Sequence, residues 1–332
     1  MTIAPLREDE VIARLREIAL ATETKRILVG IGDDAAVWQP SRSHRSVITT
    51  DALVEGVHFT AETMSAYDAG WRAMTANLSD LAAMGARPVL ATIALGVPAG
   101  CDVETLVSLY RGIAAAAKSA RLAIAGGNLT RSPATTITIA AVGEVRATRC
   151  TLRSGAKAGD VVAVTGELGA SRAGLDVARG AVTLGPEDER VGLDAHRHPS
   201  ARLDEGRWLA ASANVHAMID CSDGLSTDLA RLCESSGLGA FVEGIPVSAC
   251  ARAAAERLGE DPVAYALAGG EEYELIVAIA RRAFAHLSER YLARFGRSLL
   301  HVGTLREGAG VFIARAGEQE MPVAQTGWDH FT

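Results

Sequence analysis

The chain has 332 residues, 48% hydrophobic and 22% charged, which excludes a disordered or fibrous protein and leaves room for two domains or one large one. Its 33 basic and 40 acidic residues give a net charge of −7 with no basic stripe, which argues against a nucleic-acid partner. Five cysteines (Cys101, Cys150, Cys221, Cys233, Cys250) form no C-x-x-C pair. There is also no signal-peptide core and no run of 18 apolar residues, so free thiols, a cytoplasmic location and no membrane partner are expected.

Between Leu6 and Leu20 the apolar residues Val11, Ile12, Leu15, Ile18 and Ala19 fall at helical spacing. Ile27-Leu28-Val29 predicts a short strand running into Gly30-Ile31-Gly32-Asp33-Asp34-Ala35. That hexapeptide fits the dinucleotide pattern G-x-G-x-x-[GA]. The match is rejected because two adjacent carboxylates would repel a pyrophosphate, and Ala36-Val37-Trp38 reads as strand where the motif needs a helix. Ser46 to Thr50 is β-rich and ends on Asp51, which taken alone is equally a turn or cap residue. Val54-Glu55-Gly56-Val57-His58-Phe59 follows, and a lone loop histidine such as His58 is more often structural than functional. Tyr67 to Ala86 carries the stripe Trp71, Met74, Leu78, Leu81 and Met84, a helix on which Asn77 and Asp80 are neighbours on one face.

Val89 to Val97 predicts a strand and Val103 to Ala120 a helix. Leu122 to Ala125 reads as a buried strand ending at Gly126-Gly127-Asn128, where a Gly pair permits close backbone approach to a ligand and equally suits a tight turn. Thr135 to Val145 closes the first half, and Ala147 to Asp160 is the linker, so the expected domains are 1–147 and 148–332. The second half restarts with a strand over Val161–Thr165 and a helix opening at Gly166–Ser171. Polar Gly185 to Arg202 reads as a loop. Its His196 and His198, two apart with no thiol or carboxylate pattern beside them, do not make a zinc site.

Arg202 to Ala213 predicts a helix. The apolar run Val215–Ile219 then leads into Asp220-Cys221-Ser222-Asp223-Gly224, with a helix over Leu225–Ser235 that Ser222 or Asp223 would cap. Gly269-Gly270-Glu271-Glu272-Tyr273-Glu274-Leu275 precedes a strand over Leu275–Ala280. A helix over Arg282–Phe295, short strands at His301–Thr304 and Gly310–Ala314, and the tail Thr326-Gly327-Trp328-Asp329-His330-Phe331 complete the chain.

Four acidic clusters stand at the edges of apolar segments: Gly32-Asp33-Asp34, Thr49-Thr50-Asp51, Asn77-Leu78-Ser79-Asp80 and Asp220–Gly224. Carboxylates that share a cleft repel, and Mg²⁺ relieves this because it takes oxygen ligands and leaves positions for phosphate oxygens. Walker A, protein-kinase, G-x-S-x-G and H-E-x-x-H signatures are absent, and Cys221 lies between two acids that suppress its thiolate. The pattern points to a magnesium-dependent site for a nucleoside triphosphate, where phosphoryl transfer needs mainly positioning and charge neutralisation. Arg153 is equally a phosphate-binding cation or a solvated linker residue.

Together with Arg153-Ser154-Gly155-Ala156-Lys157 and the Gly269–Leu275 run, these motifs resemble, in order and spacing over essentially the whole chain, the thiamine-monophosphate kinase family of the PurM-like (AIR synthetase-related) superfamily. The resemblance implies an α/β (α+β) fold of two PurM-like domains. The N-terminal domain would pair into a dimeric β-barrel flanked by helices, and the C-terminal domain would be α/β. It implies direct in-line phosphorylation of thiamine monophosphate by ATP, with several Mg²⁺ ions, in a homodimer. Asp34, Thr49, Thr50, Asp51, Asp80, Asp220 and Asp223 match its magnesium ligands, with Asp34, Asp51, Asp80 and Asp220 central to catalysis. Tyr110, Gly127, Arg153 and Ser222 match ATP contacts, and His58, Glu271 and Trp328 match substrate contacts.

This chain has Asn128 where the family has Asp after the Gly pair, one neutral oxygen in place of a carboxylate at a nucleotide- and metal-binding position. His198 stands where the family tends to have Arg before the proline, and Glu272 replaces an Asp. Two other readings stay open from sequence: a ribotide-ligase-like PurM enzyme, and a non-catalytic paralogue that binds nucleotide or thiamine phosphate.

Overall fold

The structure, a computed structural model, describes residues 8–31, 35–314, 319–325 and 327. It forms two units, residues 1–81 with 87–147, and residues 82–86 with 148–332.

The first unit contains α1 (Glu8–Leu20), β1 (Ile27–Val29), β2 (Val37–Trp38), β3 (His44–Val54), α2 (Ala66–Ala83, whose last two residues count with the second unit), β4 (Arg87–Val97), α3 (Val103–Ser119), β5 (Ala123–Arg131) and β6 (Thr136–Arg146). Its main sheet has the order β3-β6-β4-β5, with β4 and β5 parallel and the other pairs antiparallel. Alternation along β6 buries Ile137, Ile139 and Ala141, as a half-buried strand should. Helices α2 and α3 meet backbone to backbone: a Cβ on Gly70 would lie 2.0 Å from Leu109 O, and one on Gly112 would lie 1.9 Å from Tyr67 O. β1 pairs with β2, so Ala36–Trp38 leads into strand, against a dinucleotide-binding helix.

Two expectations are corrected here. β3 continues past Asp51 to Val54 and pairs Asp51 with Ile139, so Asp51 is neither a turn nor a cap residue. β5 runs through Gly126-Gly127-Asn128 instead of stopping there. A Cβ on Gly127 would sit 2.2 Å from Ile93 O, so sheet pairing by itself requires glycine at that position. Gly126 carries no such requirement, since its Cβ would meet only Thr92 Cγ2 at 3.6 Å.

The second unit comprises β7 (Val161–Val164), α4 (Ala170–Ala178), α5 (Pro186–Arg197), α6 (Leu203–Ala210), β8 (Val215–Cys221), α7 (Leu225–Ser236), β9 (Gly239–Val242), α8 (Ala249–Leu258), α9 (Pro262–Ala268), β10 (Glu274–Ile279), α10 (Arg281–Phe295), β11 (Leu300–Arg306), β12 (Gly310–Ile313) and β13 (Met321–Pro322). The strands order as β13-β12-β9-β11-β7-β10-β8. β10 is buried along its whole length because both faces are covered. Ile276 and Ala278 join the core with Leu229, Ala251 and Tyr265, and Leu275, Val277 and Ile279 join Leu287, Tyr291 and Trp208 on the other side. Such a strand reads as a continuous apolar run and not an alternating one.

The segment Gly185–Arg202, expected as a loop, is largely helix α5. Pro186 opens it, Glu187, Asp188 and Glu189 fill its first turn, and His196 and Arg197 its last, all favourable to the helix dipole. Close packing of Gly174 on Gly192 seats α5 against α4, and His196 is 1% exposed, 3.4 Å through Nδ1 from Ser171 Oγ. Among the described residues, no helix is long and apolar enough to cross a membrane.

Candidate active site

In the first unit, Thr49 and Asp51 project from the same face of β3, two residues apart. Thr49 Oγ1 donates to Asp80 Oδ2, which joins a strand hydroxyl to a helix carboxylate. Asp51 is exposed, and its Oδ1 accepts the Ala52 N–H at 2.7 Å. Thr50 Oγ1 donates to Ile139 O at 3.0 Å. His58 Nδ1 accepts the Val54 N–H at 3.0 Å, which leaves the ring proton on Nε2. Tyr110 is buried on α3 at 4% exposure, and burial pushes its phenol up. Asn128 is exposed on β5, opposite Ala94. Asp34 and Trp328 lie outside the described residues.

In the second unit, antiparallel pairing of β8 with β10 sets Cys221 opposite Glu274 and Asp220 opposite Leu275. That register brings the loop after β8 against the loop before β10. Glu271 N–H donates to Ser222 O at 2.6 Å, and Tyr273 N–H donates to Cys221 O at 2.9 Å. Glu271 and Tyr273 both take left-handed backbone, with φ of 63° and 53°. Each costs on the order of 1 kcal/mol or more, and strain of this kind clusters at functional sites. Asp220 is 3% exposed, and Ser222, Asp223 and Glu271 are half-buried. Arg153 is exposed, and its carbonyl accepts from Ser236 Oγ at 3.1 Å.

The cap expected of Ser222 or Asp223 is not made. Gly224 is the N-cap of α7, with φ 105° and no side-chain cap hydrogen bond. The amides of Ser222 and Asp223 are held instead by Asp228 Oδ2, at 3.0 and 2.9 Å. Arg231 Nη1 donates to Asp228 Oδ1 at 2.8 Å and also to Asp223 Oδ2. Asp228 and Arg231 were missed from sequence, although an acid in the first turn of a helix that starts on glycine is the signal for such a reach-back.

Neighbouring charges brace these loops. Glu272 Oε1 accepts the Gly169 and Ser171 amides at 2.8 and 3.2 Å, at the start of α4. Burial, with Glu274 nearby, pushes its carboxyl up to about 8 against the pull of those amides. Glu274 accepts from Thr165 Oγ1 at 2.6 Å and pairs with Arg202, whose Nε donates to it at 2.7 Å. Cys221 is fully buried, and burial together with Asp228, Glu272, Asp220 and Glu274 raises its thiol well above the ordinary value, which rules against a thiolate nucleophile.

The described residues contain no group of three or more His, Cys, Asp or Glu side chains arranged to hold a metal ion. The first unit's donors are nevertheless all oxygens: hydroxyls, carboxylates and the Asn128 amide. That set suits a hard cation such as Mg²⁺ and not a soft one.

The N-terminal domain model of AIR synthase related proteins matches residues 32–145, and the C-terminal domain model matches residues 157–287. The thiamine-monophosphate kinase of Rhodopirellula baltica is 38% identical over 283 residues, 82% of each chain. The chain belongs to the thiamine-monophosphate kinase family. The Aquifex aeolicus enzyme of that name is 34% identical over 96% of this chain and 99% of its own. A thiamine-monophosphate kinase structure from Stenotrophomonas maltophilia superposes with a TM-score of 0.81 at 34% identity, covering 93% of this chain and 96% of that one. AaThiL complexed with AMPPCP and TMP gives 0.76 at 31% identity, covering 99% and 100%. The Escherichia coli hydrogenase maturation protein HypE also gives 0.76, but at 22% identity, so the shared fold does not by itself choose the chemistry. Membership of this kinase family makes the chain a phosphotransferase.

Proposed function

We propose that this chain transfers the γ-phosphoryl group of ATP directly and in line to the phosphate of thiamine monophosphate, giving thiamine diphosphate and ADP. One observation carries the reading: the likeness to a family member complexed with AMPPCP and TMP extends over 99% of the chain at 31% identity. The oxygen-only donor set and the suppressed Cys221 thiolate support it, since direct transfer needs no covalent phosphoenzyme.

Bound magnesium would neutralise charge on the transferring phosphoryl group. The residues proposed as its ligands are Asp34, Thr49, Thr50, Asp51, Asp80, Asn128, Asp220 and Asp223. Tyr110, Gly127, Asn128, Arg153 and Ser222 would contact ATP. His58, Glu271 and Trp328 would contact the thiamine phosphate, with the Nε2 proton of His58 suited to an anionic oxygen. Within residues 1–147, β3 is an edge strand with Ile48 72% exposed, which supports pairing of two chains along β3 into a barrel-like homodimer. Light scattering that returned the mass of one chain would contradict this. Free cysteines throughout fit a cytoplasmic setting.

A coupled ADP-release assay separates the alternatives. Release with thiamine monophosphate and Mg²⁺ is expected. Release only with an aminoimidazole-type ribotide would point to the ligase-like reading, and ATP binding without turnover would point to a non-catalytic paralogue.

A further inference from the structure

Helix α7 begins on a residue that cannot cap it. Gly224 has no side chain, takes a φ of 105° and ψ of 150°, and lies so close to α9 that a Cβ would come within 3.0 Å of Leu267 O. The preceding loop, which follows Asp220 and Cys221 at the end of β8, carries Ser222 and Asp223, and it still has a defined shape, because the Ser222 and Asp223 amides converge on one oxygen of Asp228. Asp228 is 1% exposed, and its other oxygen accepts from Arg231, which also reaches Asp223. A buried carboxylate that accepts three hydrogen bonds is a stiff clamp, since removing it orphans two amides at once.

We propose that Asp228 is a positioning residue for nucleotide binding. It holds the Ser222–Gly224 loop in the form that presents Ser222 and Asp223, and Arg231 orients its carboxylate. This rests on the reading above that the loop binds magnesium–nucleotide. Asp228 itself spends its oxygens on the loop and on Arg231.

The test is calorimetric binding of AMPPCP with Mg²⁺, beside KM values for both substrates. In D228N the amide has one acceptor and one donor, so whichever way it turns, an NH2 faces either Arg231 or the two loop amides. We expect AMPPCP binding about tenfold weaker and KM for ATP raised in parallel, with KM for thiamine monophosphate within about twofold of wild type. In D228N/R231Q the glutamine accepts from that NH2, so AMPPCP binding recovers to within about threefold of wild type. Should D228N fail to fold, the double variant decides by the same measurement. AMPPCP affinity unchanged in D228N, a double variant no better than D228N or, should D228N not fold, one tenfold or more below wild type, or equal losses for both substrates with a lowered melting temperature would each overturn the inference. Absence of AMPPCP binding by wild-type protein would overturn the functional reading itself, and this inference with it.

Discussion

Thr49 on β3 donates its hydroxyl to the Asp80 carboxylate on α2. The bond fixes the orientation of an acid that the proposed mechanism uses, and it offers a second oxygen beside it. T49V keeps the β-branched shape and removes both functions. We expect kcat/KM to fall by about ten- to a hundredfold, with a higher Mg²⁺ concentration for half-maximal rate, while T49S stays within about threefold of wild type. An Mg²⁺ titration of initial rates checks this. T49V with wild-type magnesium dependence would contradict the role.

Asn128 stands exposed on β5 with room for a charged oxygen. N128D adds a full carboxylate at no cost in volume. The half-saturating Mg²⁺ concentration for activity should fall, and an unchanged or raised requirement would count against metal contact there.

Glu144 is 3% exposed and accepts from Arg26 Nη1 and Nη2 at 2.9 and 2.7 Å, from the Ser41 amide at 2.7 Å and from Arg87 Nη2 at 3.1 Å. Burial alone would raise its carboxyl, but the hydrogen bonds from Arg26 and Ser41 outweigh it and hold the group at about 2. A depressed acid stabilises the fold fully above its unfolded value, near 4.5, and loses that contribution as pH falls toward 2. E144Q should therefore cost about 3 kcal/mol at pH 7, with the gap to wild type narrowing steadily below about pH 4.5. Urea melts of both proteins across that range measure it. A gap independent of pH would contradict the assignment.

Gly327 packs on the start of α7, its amide donating to Thr227 Oγ1 at 3.2 Å. A Cβ there would lie 2.0 Å from Asp223 O and 2.4 Å from Thr227 Oγ1. The next residue is Trp328, the proposed thiamine contact. G327A should raise KM for thiamine monophosphate by about fivefold or more and change the melting temperature by less than about 2 °C. Unchanged kinetics would remove the tail from the site.

The pieces legible in the sequence were those whose local chemistry and tertiary setting agree. α3 runs to within one residue of its periodic pattern because its apolar face meets a core, and β6 alternates because one face is covered. Motif spacing carried the family resemblance, since hydroxyl–acid and Gly–acid clusters stay recognisable whatever lies between them. Where tertiary context overrode the local signal, the reading failed. α5 is polar nearly all round and rests on a Gly174–Gly192 contact that no periodicity reveals. β9, α8 and α9 were not anticipated, because short elements under mutual burial carry weak patterns. The Asp228 clamp shows in sequence only as an acid in the first turn of a helix that starts on glycine, and which amides it reaches is set by the fold.

The central claim is tested most directly by following the phosphoryl group. With ATP labelled by ¹⁸O in its γ-phosphate, thiamine monophosphate and Mg²⁺, phosphorus NMR and mass spectrometry should show thiamine diphosphate labelled in its terminal phosphate. One ADP should form per product, and none without magnesium. ADP formed while thiamine monophosphate stays unchanged, or label appearing only in free phosphate, would contradict the account.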